Sequence, residues 1–276
     1  VKLDKFYSAW LKMAGANPTA TAKGRDIVWR ARTAASVPLL ASLAADKNVP
    51  LKDRLRYFRA FDFNPGATEK STALLGIMKG TTDNEITKLC LRHLDPGFVK
   101  TSTEAQQSLK KLLDASVGTS DYIDLVLRFE PASESKRLLQ IATEKPMQRE
   151  GRDAARQLLK QNEEPLLWTT INGKDAAKAQ SVLTSLRSVG TKQSIGILQT
   201  VALDPKRSKA LRAEATRALG GSMDGEDLVL ALLKDGKFSG DYKAAAVQGV
   251  SGAWRKNVRI EAAKYMDAVP TKTGKK

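Results

Sequence analysis

Along most of the chain apolar residues recur with helical spacing, and polar residues fill the positions between them. In 206–219 (KRSKALRAEATRAL), Leu211, Ala215 and Ala218 fall at i, i+4 and i+7, while Lys209, Arg212 and Arg217 lie off that stripe. The segment predicts an amphipathic helix with small side chains on its buried face. The same plan appears in 174–188 with Ala179, Val182, Leu183 and Leu186, and in 147–160 with Ala154, Ala155, Leu158 and Leu159. The sequence carries no sustained apolar–polar alternation and no hairpin turn between β-branched runs, so strands are not expected.

Breakers such as Asn17-Pro18, Val49-Pro50, Asn64-Pro65-Gly66, Asp95-Pro96-Gly97, Asp204-Pro205 and Gly220-Gly221 cut the pattern into helices of roughly 10 to 15 residues. The first half predicts helices at 2–14, 22–33, 36–46, 51–62, 67–79, 83–94, 102–115 and 119–129, with 97–103 as an irregular connection. Thr82-Asp83-Asn84-Glu85 and Ser102-Thr103-Glu104 read as helix start signals, as does Pro205, and Gly220-Gly221 reads as a helix stop. The second half predicts helix pairs: 134–144 with 147–160, 163–172 with 174–188, 192–203 with 206–219, and 225–234 with 240–253.

Those pairs recur. Taking Leu159, Leu186, Leu219 and Val250 as equivalent positions, the steps are 27, 33 and 31 residues. That is shorter than the roughly 40 to 47 of HEAT or armadillo units and near the 34 of tetratricopeptide units, whose consensus is not visible. Compact HEAT-like pairs describe the pattern better. The expected fold is all-α, a right-handed α-α superhelix of the HEAT/armadillo-like solenoid kind. It is expected to run as a single domain over 1–268, less regular in 1–96 and more regular in 97–268, followed by a disordered basic tail at 269–276.

Charge and composition narrow the chemistry. Lys plus Arg number 46 against 30 Asp plus Glu in 276 residues, a formal charge of +16 that favours acidic partners. One Cys excludes a disulfide framework and covalent c-type haem attachment, and one His excludes the usual zinc and copper sites. No apolar run reaches the length of about 18 residues that spans a bilayer. The start, Val1-Lys2-Leu3-Asp4, lacks the plan of a signal peptide and reads as a mature or excised fragment.

Candidate residues follow from the helical faces. Leu51, Leu55 and Phe58 at i, i+4 and i+7, with Phe61 three further on, form one expected stripe; Leu55, Phe58, Phe61 and Trp29 are read as packing anchors ahead of a partner surface. Each of the four Trp, at 10, 29, 168 and 254, is read as packing rather than as a stacking platform. Lys52, Arg56 and Arg59 run opposite the Leu51 stripe. Together with Arg30, Arg32, Lys209, Arg212, Arg217, Arg255 and Arg259 they make up the candidate basic docking surface, and a further cluster at Lys272, Lys275 and Lys276 loads the tail. Cys90 and His93 share a helical face with Ile86 and Leu89, which favours packing over metal ligation. Glu163-Glu164 and Glu226-Asp227 stand near helix starts and read as dipole-complementing caps. No catalytic residue, metal site or cofactor is expected.

Ile27-Val28-Trp29-Arg30-Ala31-Arg32, then Val37-Pro38-Leu39-Leu40-Ala41, then the run from Arg56 to Gly66 (RYFRAFDFNPG), resemble the helical region of large exported bacterial proteins. Those proteins join a dehydrogenase-like β-propeller, a HEAT-type segment and a c-type cytochrome, and are often called membrane-bound dehydrogenase or haem-binding proteins. The resemblance covers about residues 1–95. It implies a non-catalytic scaffold and protein-docking module, monomeric, held in an extracytoplasmic or periplasmic parent chain beside neighbouring domains or an acidic protein. Without the resemblance, the alternative is a cytoplasmic, basic HEAT-like protein that binds nucleic acid, as helical-repeat alkylpurine DNA glycosylases do.

Overall fold

Short amphipathic helices of this kind cannot bury a face alone, and most helices of the described residues pack on others. A computed structural model describes residues 2–266; the basic tail expected at 269–276 lies outside the described residues. Helix makes up 74% of the described residues, and none of them is in a strand. The chain divides into two compact units, Val1–Tyr122 and Ile123–Lys276.

The first unit holds α1 (Lys2–Ala14), α2 (Ala22–Arg30), α3 (Val37–Ala45), α4 (Leu51–Ala60), α5 (Ala67–Lys79), α6 (Asn84–His93), α7 (Pro96–Thr101), α8 (Thr103–Ala115) and the start of α9 (Ser120–Phe129). Helix α3, VPLLASLAA, is apolar on nearly every side and accordingly touches α2, α4 and α5. Its Leu40 and Ala44 are buried, as are Tyr57, Phe58 and Phe61 from α4 and the turn after it. The stretch 97–103, expected to be irregular, is largely helical. Asp95 accepts a hydrogen bond from Phe98 N at 3.1 Å and Pro96 supplies the first helical residue, which together start α7.

One packing expectation is corrected. Leu55 is 44% exposed and Leu51 48%, so neither anchors α4. The buried face is Arg54, Tyr57, Phe58 and Phe61 instead, an equally helical i, i+3, i+4, i+7 set. Arg54 decides the rotation: its Nε donates to the Ala44 carbonyl at 2.7 Å, satisfying an end of α3 that has no helical donor left.

The second unit holds the rest of α9, then α10 (Ser135–Glu144), α11 (Arg149–Lys160), α12 (Glu164–Ile171), α13 (Ala176–Leu186), α14 (Lys192–Leu203), α15 (Lys209–Leu219), α16 (Met223–Lys234), α17 (Asp241–Val250) and α18 (Lys256–Ala263). The expected pairs are present as α10/α11, α12/α13, α14/α15 and α16/α17, and their second helices pack serially, α11 on α13, α13 on α15 and α15 on α17. Leu159, Leu186, Leu219 and Val250 are all buried at that seam. The seam also explains Gly220 and Gly249. A Cβ on Gly220 would lie 2.7 Å from Gly249 C, and one on Gly249 would lie 2.6 Å from Arg217 O, so close approach of α15 and α17 requires both glycines. Helix α15 starts three residues later than expected, because Ser208 caps it through Leu211 N while Asp204 holds Pro205–Arg207 in a turn. Helix α18 lies in the basic stretch after 253 that the pattern did not assign; Val258 and Ala262 are its buried residues.

The two units share a construction detail. At the end of α3, Asp46 Oδ1 accepts from Asn48 N at 2.9 Å and its carbonyl from Val49 N at 3.2 Å; at the end of α14, Asp204 accepts from Lys206 N and Arg207 N at the same distances. Arg212, the fourth residue of α15, then donates from Nε to Ala202 O at 3.2 Å, as Arg54, the fourth residue of α4, does to Ala44. Both arginines reach back ten residues.

Candidate docking surface

Helix α2 ends in Trp29-Arg30 and α4 in Arg59-Ala60, and cationic side chains in a last turn complement the helix dipole. The residues that follow, Arg32 and Phe63, lie in the connections. These side chains meet in the first unit around a groove of about 540 Å³, lined by Trp29, Arg30, Ala31, Arg32, Arg56, Arg59, Ala60 and Phe63. Four arginines and two aromatic rings thus share one concavity.

Its electrostatics are unbalanced. Asp26 is the carboxylate paired within the cluster: Oδ2 accepts from Arg30 Nε at 3.0 Å, and Oδ1 lies 3.8 Å from Arg56 Nη1. The Arg30 and Arg56 guanidiniums stand 5.3 and 5.2 Å from the Trp29 ring centre, and Arg32 stands 5.0 Å from that of Phe63. Aromatic faces therefore hold the guanidiniums in place without neutralising them. Arg56 also donates from Nη2 to Tyr57 Oη at 3.1 Å, while its buried Nε has no hydrogen-bond partner.

No family model, curated protein or solved structure matches the chain.

The remaining candidates do not join this surface. Lys52 is exposed on α4 but does not line the groove. In the second unit the basic candidates are engaged: Lys209 pairs with Asp241, and Arg217 Nη2 with Glu214 Oε2 at 2.7 Å. Arg212 caps α14 and lies 4.2 Å from the Tyr242 ring centre. Arg255 bridges to Glu226 and Asp227, each at 2.9 Å, and Arg259 donates to the Ala253 carbonyl. Glu226 stands in the first turn of α16, as expected, and is also the buried partner of Arg255, while Ser222 supplies the side-chain cap. Helix ends and neighbouring carboxylates consume these charges, something residue type alone does not reveal.

Trp29 is half-buried and faces the groove, so its role is shared between packing and the site. Trp254 corrects the packing expectation, being 91% exposed. Asp26 and Phe63 belong to the site and were not singled out from sequence; the i+4 spacing of Asp26 and Arg30 was the available signal. Also unread was Asp153, a buried carboxylate on α11 that accepts from Arg149 Nε and Arg156 Nη1, both at 3.1 Å.

Cys90 is buried, and His93 Nδ1 lies 2.9 Å from Asp62 Oδ1 with its ring stacked on Phe58. Among the described residues no group of three or more His, Cys, Asp or Glu could hold a metal ion, and no helix is long and apolar enough to cross a membrane.

Proposed function

We propose that the chain is a non-catalytic helical-repeat scaffold that docks an acidic protein through the α2–α4 groove. The observation that carries this reading is the groove's charge: four guanidiniums face one carboxylate, and concave, aromatic-lined positive surface is suited to a negatively charged partner. A right-handed HEAT-like superhelix is the architecture proposed with it. Supporting that architecture are the serial packing of α11, α13, α15 and α17 and the turn repeated at Asp46 and Asp204.

In this reading the chain is a segment of an exported dehydrogenase and cytochrome c protein, and it keeps the neighbouring domains at a fixed geometry. The test uses that parent. Deleting residues 1–268 while keeping the flanking domains is expected to impair electron transfer between them and leave each domain's cofactor in place. Unchanged transfer would overturn the proposal.

A second reading, nucleic-acid binding, is favoured by one observation, the interleaving of Trp29 and Phe63 with arginines. Binding to DNA or RNA that survives about 200 mM salt and requires Arg56, Arg59 and Arg212 would promote it.

A further inference from the structure

Among the described residues Arg32 and Arg59 make no ion pair, whereas Arg30 and Arg56 share Asp26. Three positive charges in the groove are therefore unmatched. The groove is also not purely polar. Phe63 is 50% exposed with Arg32 over its ring, so half of its apolar surface is open to solvent.

We propose that this groove is the binding site for a short extended peptide of a partner protein, one that carries two or three carboxylates next to an aromatic side chain. The proposal rests on the docking reading and specifies its occupant. Planar guanidinium forks match carboxylates in two-point hydrogen bonds, which places the acidic side chains on Arg32 and Arg59. The peptide's aromatic ring lies against Phe63. A concavity of about 540 Å³ has the size of sites that enclose small ligands, so an extended segment projecting from a partner domain enters it where that domain's flat surface does not. Magnitude separates peptide from nucleic acid. Strong nucleic-acid binders neutralise about 6 to 10 phosphates, far beyond a surplus of three charges in one groove.

The experiment is fluorescence anisotropy with the whole chain and a fluorescein-labelled peptide of sequence Glu-Glu-Phe-Asp-Asp. Its amide counterpart Gln-Gln-Phe-Asn-Asn, a short labelled oligothymidine and the parent's flanking domains serve as comparisons. Saturable binding of the acidic peptide is expected, with a loss of about tenfold or more in Arg32→Gln/Arg59→Gln and in the amide peptide. Phe63→Ala should weaken the phenylalanine peptide more than one with alanine in its place. Lys192→Gln/Lys237→Gln removes the same charge from exposed positions of the second unit and should leave affinity unchanged. Equal affinity in both double variants, or tighter binding of oligothymidine than of the acidic peptide, would overturn the proposal. Groove-dependent binding of a flanking domain without binding of the peptide would overturn the peptide assignment alone and leave the docking reading standing. Each substituted arginine is exposed, so circular dichroism should report an unchanged fold.

Discussion

Arg54 donates its Nε–H to the carbonyl oxygen of Ala44 at 2.7 Å, closing the end of α3 with a side chain from α4. The contact fixes which face of α4 is buried, and Arg212 repeats it on Ala202. Replacing Arg54 by Met should cost about 1.5 to 3 kcal/mol, the range for a hydrogen bond involving a charged group, because a buried carbonyl loses its donor. Urea unfolding followed by circular dichroism checks this. No change in midpoint would mean that water substitutes for the guanidinium.

The rotation of α4 gives a paired prediction. Phe58→Ala should cost about 3 to 5 kcal/mol, since the side chain is fully buried, whereas Leu55→Ala should cost less than about 1 kcal/mol. Equal losses would restore the stripe expected from sequence.

His93 gives a pH dependence. Burial pulls its pKa below the ordinary 6.5, with Lys70 and Arg92 acting in the same direction and Asp62 opposing them. As pH falls, the unfolded chain therefore takes up the proton first. The contribution to stability is complete above pH 6.5 and is lost as pH drops through 6.5 towards the lower folded value. Unfolding free energies measured between about pH 5 and 8 should decline below pH 6.5 more steeply in the natural protein than in His93→Gln. Parallel slopes would contradict the placement of His93.

Cys90 should be inert in the folded protein. Its thiol is fully buried and burial raises its pKa to about 12, so thiolate is scarce at neutral pH. Iodoacetamide should label it only under unfolding conditions. Rapid labelling of the native chain would show that α6 opens locally.

Helix positions were legible because the buried stripes are long and regular: 67–79 and 192–203 coincide with α5 and α14. Helix starts were less so. At 206–208 a serine cap and an aspartate turn outcompete Pro205, and the outcome depends on which side chain reaches which amide. The turn shared by Asp46 and Asp204 was present in the sequence as Ala-x-Asp followed eight residues later by Arg, but its meaning lies in a hydrogen bond that no periodicity encodes. The site was half legible. Arg30, Arg32, Arg56 and Arg59 were candidates, and folding brings those four together; Lys209, Arg212, Arg217, Arg255 and Arg259 looked alike in sequence and are occupied by carboxylates and carbonyls.

The central claim, that this chain acts by docking, is tested most directly by calorimetric titration of the whole chain with each flanking domain of the parent protein proposed above, expressed separately. Saturable binding of at least one domain is predicted, weakened about tenfold or more by Arg32→Glu/Arg59→Glu. Absence of binding to either domain, or binding indifferent to both substitutions, would contradict it.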